Sequence, residues 1–322
     1  MIALHPPAPI SARTSDFMLE PDPPVSAQQA ARLLIVDGHA YAYRAFFAIR
    51  RLTSPTGAPT NAIYGFVKML DKMREVLRPT HGVVVWDGGL AAERIAALPT
   101  YKSQRPEMPA DLAHQLEQIP GYLEAAGIAS VCEEGVEADD WIAALARRAD
   151  ADGTHVIIAS SDKDFMQLVS PRIGLFNPGD KTQSVWSDEQ VRARTGVEPA
   201  QIVDWLSLVG DAVDNIPGVT GVGPKTATDL LRQFGSVSGI YGRLAEVKSD
   251  RLRENLKTAA EAVRRNQELV RLNDQLPGDF SLKRFAWRPL DLHRLIELFK
   301  SWGFETMRRQ MEEARTSQPA LL

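Results

Sequence analysis

Three apolar runs along the chain each lead into an aspartate. The runs are Leu-Leu-Ile-Val before Asp37, Val-Val-Val-Trp before Asp87, and His-Val-Ile-Ile-Ala, which two serines separate from Asp162. Short apolar runs of this kind predict buried strands of a parallel sheet. Ligands bind beyond the carboxyl ends of such strands, so we expect the three carboxylates to meet at one edge of the sheet.

Six further acids come from other segments. They are Asp164 after the third run, Glu137, Asp139 and Asp140 after a weaker strand candidate at 128–132, and Asp211 and Asp214 after a helix predicted over 199–209. Nine clustered carboxylates would repel one another strongly unless cations neutralised them. Oxygen ligands without His or Cys partners suit Mg²⁺ or Mn²⁺ rather than zinc. Two such ions about 4 Å apart are the usual device for in-line phosphodiester hydrolysis. For any single aspartate after a strand, the alternative is a helix N-cap.

A glycine-rich stretch follows the last of these acids. Residues 215–226 read Asn-Ile-Pro-Gly-Val-Thr-Gly-Val-Gly-Pro-Lys-Thr. Its glycines are Gly218, Gly221 and Gly223, and its polar donors are Lys225 and Thr226. Glycines let the backbone approach a ligand closely, and amides at the start of a helix hold phosphate oxygens. A helix–hairpin–helix of this form would bind the nucleic-acid backbone and not the bases. The alternative is a plain tight turn between two helices.

The segment 88–110 is basic and carries few structural signals. Its candidate functional residues are Arg94, Tyr101, Lys102 and Arg105, to which Arg44 adds a cation on the helix predicted after Asp37. The cations would steer a phosphate toward the acids and stabilise developing negative charge. Tyr101 is a candidate for stacking on an unpaired base. The segment would then form a gate over the metal site; the alternative is an ordinary solvated loop.

An α/β scaffold is predicted to bring these residues together. Apolar residues at helical spacing predict helices over 61–77, 111–126 and 138–149, and strands alternating with helices predict a mainly parallel sheet. Strand signals stop near residue 188, and the later predicted helices are 199–209, 224–234, 251–271 and 290–314. The predicted organisation is a Pro-rich disordered tail at 1–31, an α/β domain at 32–187, a helical domain at 188–290 and a helical segment at 291–322.

Composition is that of an ordinary globular protein. Of the 322 residues, 44% are hydrophobic and 24% are charged. The single cysteine, Cys132, excludes an intramolecular disulfide framework and fits a reducing cytoplasm. No apolar run reaches the roughly 18 residues that a membrane span needs. A net charge of −4 is unusual for a nucleic-acid binder, but two bound divalent ions would neutralise it.

These motifs resemble the 5′-nuclease domain of bacterial DNA polymerase I and the wider flap-endonuclease family. The matching stretches are Val-Asp-Gly (36–38), Tyr-Arg-Ala (43–45), Trp-Asp (86–87), Tyr-Lys-Ser-Gln-Arg-Pro (101–106), Gly-Val-Glu-Ala-Asp-Asp (135–140), Asp-Lys-Asp (162–164) and Gly-Asp-Ala-Val-Asp-Asn-Ile-Pro-Gly-Val-Thr-Gly-Val-Gly-Pro-Lys-Thr-Ala (210–227). Order and spacing both match between residues 32 and 290. Glu93, Ala212-Val213 and Trp86 depart from the family pattern, and none of them removes a metal ligand.

The resemblance implies a nuclease fold with a helical arch and a helix–three-turn–helix DNA-binding motif. It implies a first metal held by Asp37, Asp87, Glu137 and Asp139, and a second held by Asp139, Asp162, Asp164 and Asp214. It makes Asp140 and Asp211 supporting carboxylates, Lys102, Arg105 and Arg94 catalytic arch cations, and the glycine hairpin a potassium site. We therefore expect a two-metal, structure-selective 5′ nuclease acting on branched, nicked or 5′-flap DNA in replication or repair. RNA primer–DNA hybrids are a candidate substrate, and the bacterial cytoplasm, at the nucleoid, is the expected location.

Three other functions fit parts of this pattern. A dead nuclease scaffold that only binds DNA structures would have lost metal ligands, but all nine acids are present. A phosphatase that forms an aspartyl-phosphate needs Asp-x-Asp after the first strand, and here the residue two after Asp37 is His39. A single-strand ribonuclease has a related acid site but typically lacks the helix–hairpin–helix, so comparing RNA with DNA substrates separates it.

Overall fold

A mainly parallel sheet forms the centre of the α/β part in this computed structural model, which describes residues 31–177 and 184–317. Its strands within those ranges are β1 (Arg32–Asp37), β2 (His81–Trp86), β3 (Ala129–Cys132), β4 (His155–Ala159), β5 (Ile173–Phe176) and β6 (Val185–Trp186). They lie in the order β3-β2-β1-β4-β5-β6, and only β6 pairs antiparallel with its neighbour. The predicted fold class is confirmed, while β6 was not predicted.

The strand order places a crevice between β1 and β4. From β1 the chain moves to β2 and β3 on one side, then crosses to β4 and β5 on the other side. Ligands of parallel sheets bind at such a reversal, outside the carboxyl ends of the strands. The strands read as continuous apolar runs because both faces of the sheet are covered: Leu33, Leu34 and Ile35 are all fully buried.

Six helices accompany the sheet within the described residues. They are α1 (Gly38–Ala48), α2 (Asn61–Leu77), α3 (Ala92–Ala97), α4 (Ala110–Leu116), α5 (Ile119–Ala125) and α6 (Ala138–Ala151). The helix predicted over 111–126 is wrong as a single element. It is two helices because Pro120 starts α5, where a proline is favoured but cannot continue a preceding helix. Helix α3 lies inside the basic segment 88–110, whose sequence carries few structural signals.

A helical part follows the sheet. Its helices are α7 (Asp188–Thr195), α8 (Ile202–Val209), α9 (Pro224–Phe234), α10 (Val237–Gly242), α11 (Asp250–Thr258) and α12 (Ala260–Val270). Between α8 and α9 runs a two-stranded ribbon of β7 (Gly210–Asp211) and β8 (Ile216–Pro217), which the sequence did not predict. The predicted helix 224–234 is confirmed, with Pro224 in its first turn and Gly235 at its end with φ 82°. The predicted helix 251–271 is divided at Ala259.

The last two helices return to the sheet. Helices α13 (Leu292–Trp302) and α14 (Glu305–Ser317) are separated by Gly303, whose φ of 77° ends the first of them. Trp302 Nε1 donates to Gln118 Oε1 at 2.6 Å, and the Phe304 ring lies 5.2 Å from that of Tyr64. These helices share one buried apolar cluster with β1, α2 and α5, so they complete the core on that face.

Short 3-10 helices connect several elements, at Lys163–Leu168, Pro199–Gln201, Leu244–Glu246 and Leu282–Phe285. None of the helices in the described ranges combines the length and apolar character needed to cross a bilayer. Apart from its last residue, the predicted disordered tail at 1–31 lies outside the described residues.

Candidate metal centre

Asp37 and Asp162 lie at the reversal of strand order. Asp37 ends β1 and accepts from the Ala40 amide through Oδ1 (3.0 Å) and from the Ser160 hydroxyl through Oδ2 (2.8 Å). Asp162 accepts from the Asp164 amide at 2.9 Å. Each aspartate therefore also caps a helix, as the alternative interpretation proposed. Burial raises the pKa of Asp37 to about 6, which marks a carboxylate that lacks nearby positive charge.

Asp87, which follows β2, belongs to the same acid group as Asp37 and Asp162. Its Oδ1 accepts from the amide of Ala138, the first residue of α6, at 2.9 Å. Its own amide donates to Nδ1 of His39 at 3.2 Å. Burial lowers the pKa of His39, so the ring is neutral and can accept that bond. Asp87 is thus fixed by α1 and by α6 while its side chain remains 39% exposed toward the crevice.

Glu137 is the most enclosed acid of the centre, at 1% exposure. Oε1 accepts from Arg94 Nη1 and the Ala91 amide, each at 3.1 Å. Oε2 accepts from the Tyr101 hydroxyl at 3.2 Å and from Lys102 Nζ. Burial would raise the pKa of Glu137, but Lys102 and Arg94 outweigh it and hold the pKa below its usual value. Glu137 is therefore an anion inside the protein.

Asp139 connects the acids of the strands with Glu137. Burial raises its pKa well above the usual value, and Asp162, Asp37 and Asp87 raise it further. Asp139 therefore lies close to carboxylates that three other segments supply. Asp139 Oδ2 also lies 3.9 Å from Lys102 Nζ.

A second acid group consists of Asp164, Asp211 and Asp214, whose carboxylate oxygens lie within 4.8 Å of one another. Asp164 Oδ1 is buried, and within the described part of the chain no group donates to it. Burial raises the pKa of Asp164 well above normal, and Asp162, Asp211 and Asp214 add to the effect. Lys163 Nζ lies 3.0 Å from Asp211, and Arg105 Nη2 lies 2.9 Å from Asp214.

The two acid groups fit divalent cations. A buried carboxylate oxygen without a donor is costly unless a cation binds it, and Asp164 Oδ1 is such an atom. The donors in both groups are oxygens, which Mg²⁺ and Mn²⁺ prefer. Burial is the largest cause of the raised pKa values of Asp37, Asp139, Asp164 and Asp214, because removal from water disfavours the charged form of a carboxylate.

Three predicted gate residues lie in the protein interior. Arg94, Tyr101 and Lys102 are 8%, 5% and 6% exposed, respectively. Arg94 forms an ion pair with Asp140, and Tyr101 donates to Glu137. In this structure the functional groups of Arg94 and Tyr101 therefore face carboxylates and not solvent, and the roles of Arg94 as an arch cation and of Tyr101 as a base-stacking ring stay predictions.

Lys102 and Arg105 contact acids of the metal centre directly. Lys102 Nζ pairs with Glu137 and lies 4.0 Å from Asp214 Oδ2, while its amide donates to the Asp214 carbonyl at 3.1 Å. Arg105 is 42% exposed at its side chain and pairs with Asp214. Arg44, the other predicted cation, is exposed on α1.

Asp140, predicted as a supporting carboxylate, has Arg94 as its side-chain partner. Both of its oxygens accept from the Arg94 guanidinium at 2.7 Å, and Oδ1 also accepts from the Asn273 amide at 2.8 Å. A bidentate pair of this kind engages both oxygens of the carboxylate. Asp140 is therefore linked to Glu137 through Arg94, and its role as a supporting carboxylate stays a prediction.

The glycine hairpin lies beside the second acid group. Gly218 packs so closely on the preceding helix that a Cβ atom would lie 2.1 Å from the Val209 carbonyl oxygen. Gly221 has φ +80°, and Gly223 precedes α9 without a capping side chain. Lys225 is exposed and Thr226 half-buried in the first turn of α9, whose amides have no helical partners. The arrangement leaves donors available for an anion.

Three residues that position the acids were not identified from the sequence. Ser160 bridges Asp37 and Asp162, and the two serines after the third apolar run were its only signal. His39 accepts from Asp87, and its position two residues after Asp37 was noted only against a phosphatase. Gln167 gave no signal in the sequence for its bonds to the Val270 carbonyl and the Leu272 amide, which lie 103 and 105 residues away.

Acid groups at the switch point of a parallel sheet, beside a helix–hairpin–helix, are typical of metal-dependent enzymes that hydrolyse phosphodiesters. Residues 32–196 match the family described as "5'-3' exonuclease, N-terminal resolvase-like domain", and residues 197–293 match "5'-3' exonuclease, C-terminal SAM fold". The chain belongs to the 5'-3' exonuclease family.

The chain is similar to a relative of nearly its own length and to one that is much longer. It is 37% identical to a 5'-3' exonuclease of Aquifex aeolicus, over 87% of this chain and 95% of the relative. It is also 37% identical to DNA polymerase I of Bacillus caldotenax, over 89% of this chain but only 33% of that protein's length. A solved structure of the T5 D15 flap endonuclease has the same fold, with a TM-score of 0.63, 22% identity, and 88% and 99% coverage of the two chains.

Proposed function

We propose that the chain is a divalent-metal-dependent, structure-selective 5′ nuclease that hydrolyses phosphodiester bonds in DNA. The observation that carries the proposal is the pair of acid groups at the β1–β4 crevice, with Asp164 Oδ1 buried and lacking a donor among the described residues. Membership of the 5'-3' exonuclease family supports it. The T5 flap endonuclease of similar fold was solved in complex with DNA and metal ions.

The proposed metals are two Mg²⁺ or Mn²⁺ ions. The first would be held by Asp37, Asp87, Glu137 and Asp139, and the second by Asp139, Asp162, Asp164 and Asp214, with Asp211 in support. When bound, such ions lower the pKa of water and stabilise the attacking and leaving oxygens of an in-line displacement. The protein contributes fixed carboxylates, because Ser160 and the amides of Ala40 and Ala138 hold Asp37 and Asp87 in place.

Lys102 and Arg105 would act on the phosphate. Both already pair with proposed metal ligands, Glu137 and Asp214, so their cationic groups lie at the reaction site. There they would stabilise the negative charge that develops on the phosphoryl oxygens. Water displaces the leaving oxygen directly, so the phosphorus–oxygen bond breaks without a covalent link to the protein.

The helical part would hold the duplex. The first turn of α9, with Lys225 and Thr226, and the close backbone of Gly218, Gly221 and Gly223 would bind phosphates without reading bases. We include a K⁺ ion at this hairpin in the proposal. Substrates would be branched, nicked or 5′-flap DNA, with RNA primer–DNA hybrids as an extension, in replication or repair at the nucleoid. The α/β domain at 32–187 and the helical domain at 188–290 would divide catalysis from duplex binding.

The test is a 5′-flap duplex labelled at both ends of the cleaved strand. We expect Mg²⁺-dependent cleavage near the junction that stops with chelator and is abolished by Asp162→Ala, while duplex binding persists. Asp188→Ala is the matched control, because Asp188 is an exposed acid that pairs only with Arg192 among its recorded ion pairs. The two labels distinguish release of whole flaps from release of single nucleotides.

Cleavage by Asp162→Ala at the wild-type rate would overturn the assignment of the centre. Binding without cleavage in Mg²⁺ and in Mn²⁺ would favour a DNA-structure-binding protein on the same scaffold. Faster cutting of single-stranded RNA than of the flap duplex would favour the ribonuclease.

A further inference from the structure

All five N–H groups of the buried Arg94 guanidinium donate hydrogen bonds. Three go to carboxylates: Nη1 to Glu137 Oε1 (3.1 Å) and Asp140 Oδ2 (2.7 Å), and Nη2 to Asp140 Oδ1 (2.7 Å). The other two go to backbone carbonyls at the end of α12, from Nε to Leu269 at 3.0 Å and from Nη2 to Arg271 at 3.1 Å. A guanidinium has five such donors, so Arg94 has none left for a phosphate.

Gln167, which is hydrogen-bonded to Asp164 of the second acid group, also contacts the end of α12. Its Nε2 donates to the carbonyls of Asp164 and Val270, each at 2.9 Å, and its Oε1 accepts from the Leu272 amide at 3.1 Å. The carbonyls in the last turn of a helix have no helical partners. In α12 the three successive carbonyls of residues 269–271 accept from Arg94 and Gln167, which lie next to the two acid groups.

Helix α12 also holds the ribbon that carries the remaining acids. Asn266 is fully buried, and its Nδ2 donates to the carbonyls of Ser207 (3.0 Å) and Pro217 (2.8 Å). Pro217 belongs to β8, which pairs with β7, where Asp211 lies. One helix therefore contacts the ribbon through Asn266 and the α/β acids through its terminal carbonyls.

We infer that Arg94 and Gln167 are positioning residues that set the spacing of the two acid groups through the last turn of α12. The inference rests on the proposed function, since the spacing matters for two cations about 4 Å apart. Ligands of such a site must be held within about 0.5 Å. Two side chains that bond to the same helical turn, one beside Glu137 and one beside Asp164, supply that constraint.

Two substitutions test the inference. Arg94→Lys keeps the positive charge but cannot make five directed bonds, and Gln167→Met keeps the length but removes the donors. For each we expect the Mn²⁺ concentration at half-maximal flap cleavage to rise about 10- to 100-fold. We expect the KM for flap DNA, and kcat at saturating Mn²⁺, to stay within about twofold. Calorimetric titration with Mn²⁺ in the absence of DNA should show the same weakening.

Arg147→Lys is the matched control. Arg147 also donates to carbonyls of the 163–168 helix, those of Gln167 (3.1 Å) and Leu168 (3.3 Å), but it contacts neither acid group nor the end of α12. We expect wild-type Mn²⁺ dependence for this variant. Thermal unfolding of all variants separates a loss of folded protein from a loss of metal affinity.

Each other outcome has a distinct meaning. A raised KM for DNA with unchanged Mn²⁺ dependence in Arg94→Lys would overturn the inference. It would indicate that Arg94 contacts the phosphate of the DNA. Unchanged Mn²⁺ binding in Gln167→Met would also overturn it, even where Arg94→Lys fails to fold. Absence of cleavage or Mn²⁺ binding in the wild-type protein would instead refute the proposed function.

Discussion

The Ser160 hydroxyl donates to Asp37 Oδ2 across 2.8 Å and accepts from the Asp162 amide at 3.1 Å. One side chain thus joins the carboxyl ends of β1 and β4, the two strands between which the order of the sheet reverses. The hydroxyl fixes the orientation of Asp37 and the path of the backbone that leads into Asp162. Partners that orient a ligand in this way usually contribute to metal affinity.

Ser160→Ala should weaken metal binding. We expect the Mg²⁺ concentration at half-maximal cleavage to rise about tenfold, because Asp37 loses a donor that orients it. Ser130→Ala is the control, since Ser130 lies within β3 and its hydroxyl accepts from Trp86 Nε1 at 2.9 Å rather than holding an acid. An equal Mg²⁺ dependence in Ser160→Ala and wild-type protein would contradict the prediction.

Asp164→Asn should stabilise the metal-free protein while abolishing cleavage. The carboxylate is buried and repelled by Asp162, Asp211 and Asp214, and a neutral amide avoids both costs. We expect the Tm in chelator to rise by roughly 2–6 °C. The exposed Asp188→Asn should leave the Tm unchanged. A lower Tm for Asp164→Asn would mean that the carboxylate stabilises the fold without metal.

Stability and metal affinity should depend on pH in opposite directions. Burial raises the pKa of Asp37 to about 6 and that of Asp139 and Asp164 well above normal. Between about pH 4 and 7 these carboxylates bind more protons in the folded protein than in the unfolded chain, so in chelator they make its stability rise as the pH falls, while His39, whose pKa burial lowers, acts in the opposite direction. Glu137 opposes this only below its usual pKa, because Lys102 and Arg94 overcome its burial and hold its pKa low.

Metal binding needs the same carboxylates deprotonated. We therefore expect Mg²⁺ affinity to fall about tenfold per pH unit for each proton that binding releases, as the pH drops below about 7. Thermal melts across this range, with chelator and with Mg²⁺, measure both trends. Parallel curves under the two conditions would show that the raised pKa values belong to carboxylates that do not bind metal.

Lys225→Gln should weaken binding of all DNA sequences alike. Lys225 is exposed in the first turn of α9, where a phosphate would lie. We expect the slope of log affinity against log salt to fall by about 1. Lys72→Gln on α2, where Lys72 pairs with Glu75 at 3.0 Å, is the control. A loss confined to particular sequences would contradict binding through the backbone alone.

The acids that lie near one another could be picked out from the sequence because their positions follow from local patterns. Asp37, Asp87 and Asp162 come after apolar strands, and parallel strands place their carboxyl ends at one edge. Asp164 and Asp139 follow at fixed short offsets from predicted elements. Once the fold class is known, it follows that these residues lie at the same edge of the sheet.

The environments of the cations were not predictable in this way. Arg94 lies in a basic segment with few structural signals, which is typical of an exposed loop. Its carbonyl partners at the end of α12, however, lie 175 and 177 residues away. The same holds for Asp140, whose metal role looked plausible from its neighbours in sequence, and for Gln167. Periodicity predicts which face of a helix is buried, and it contains no information about which distant carbonyl meets a buried guanidinium.

Helices α13 and α14 have a consequence for synthesis of the chain. Trp302 and Phe304 belong to the apolar cluster that also contains residues of β1 and α2, so β1 is covered by residues that are made much later. About 270 residues separate Asp37 from Phe304, or roughly 15–50 s at ordinary rates of translation. Through that interval the acids of the sheet also lack Asp211 and Asp214 for much of the time. The growing chain would therefore complete its metal centre only after the helical part has been made, which would protect nearby nucleic acid from a partly made nuclease.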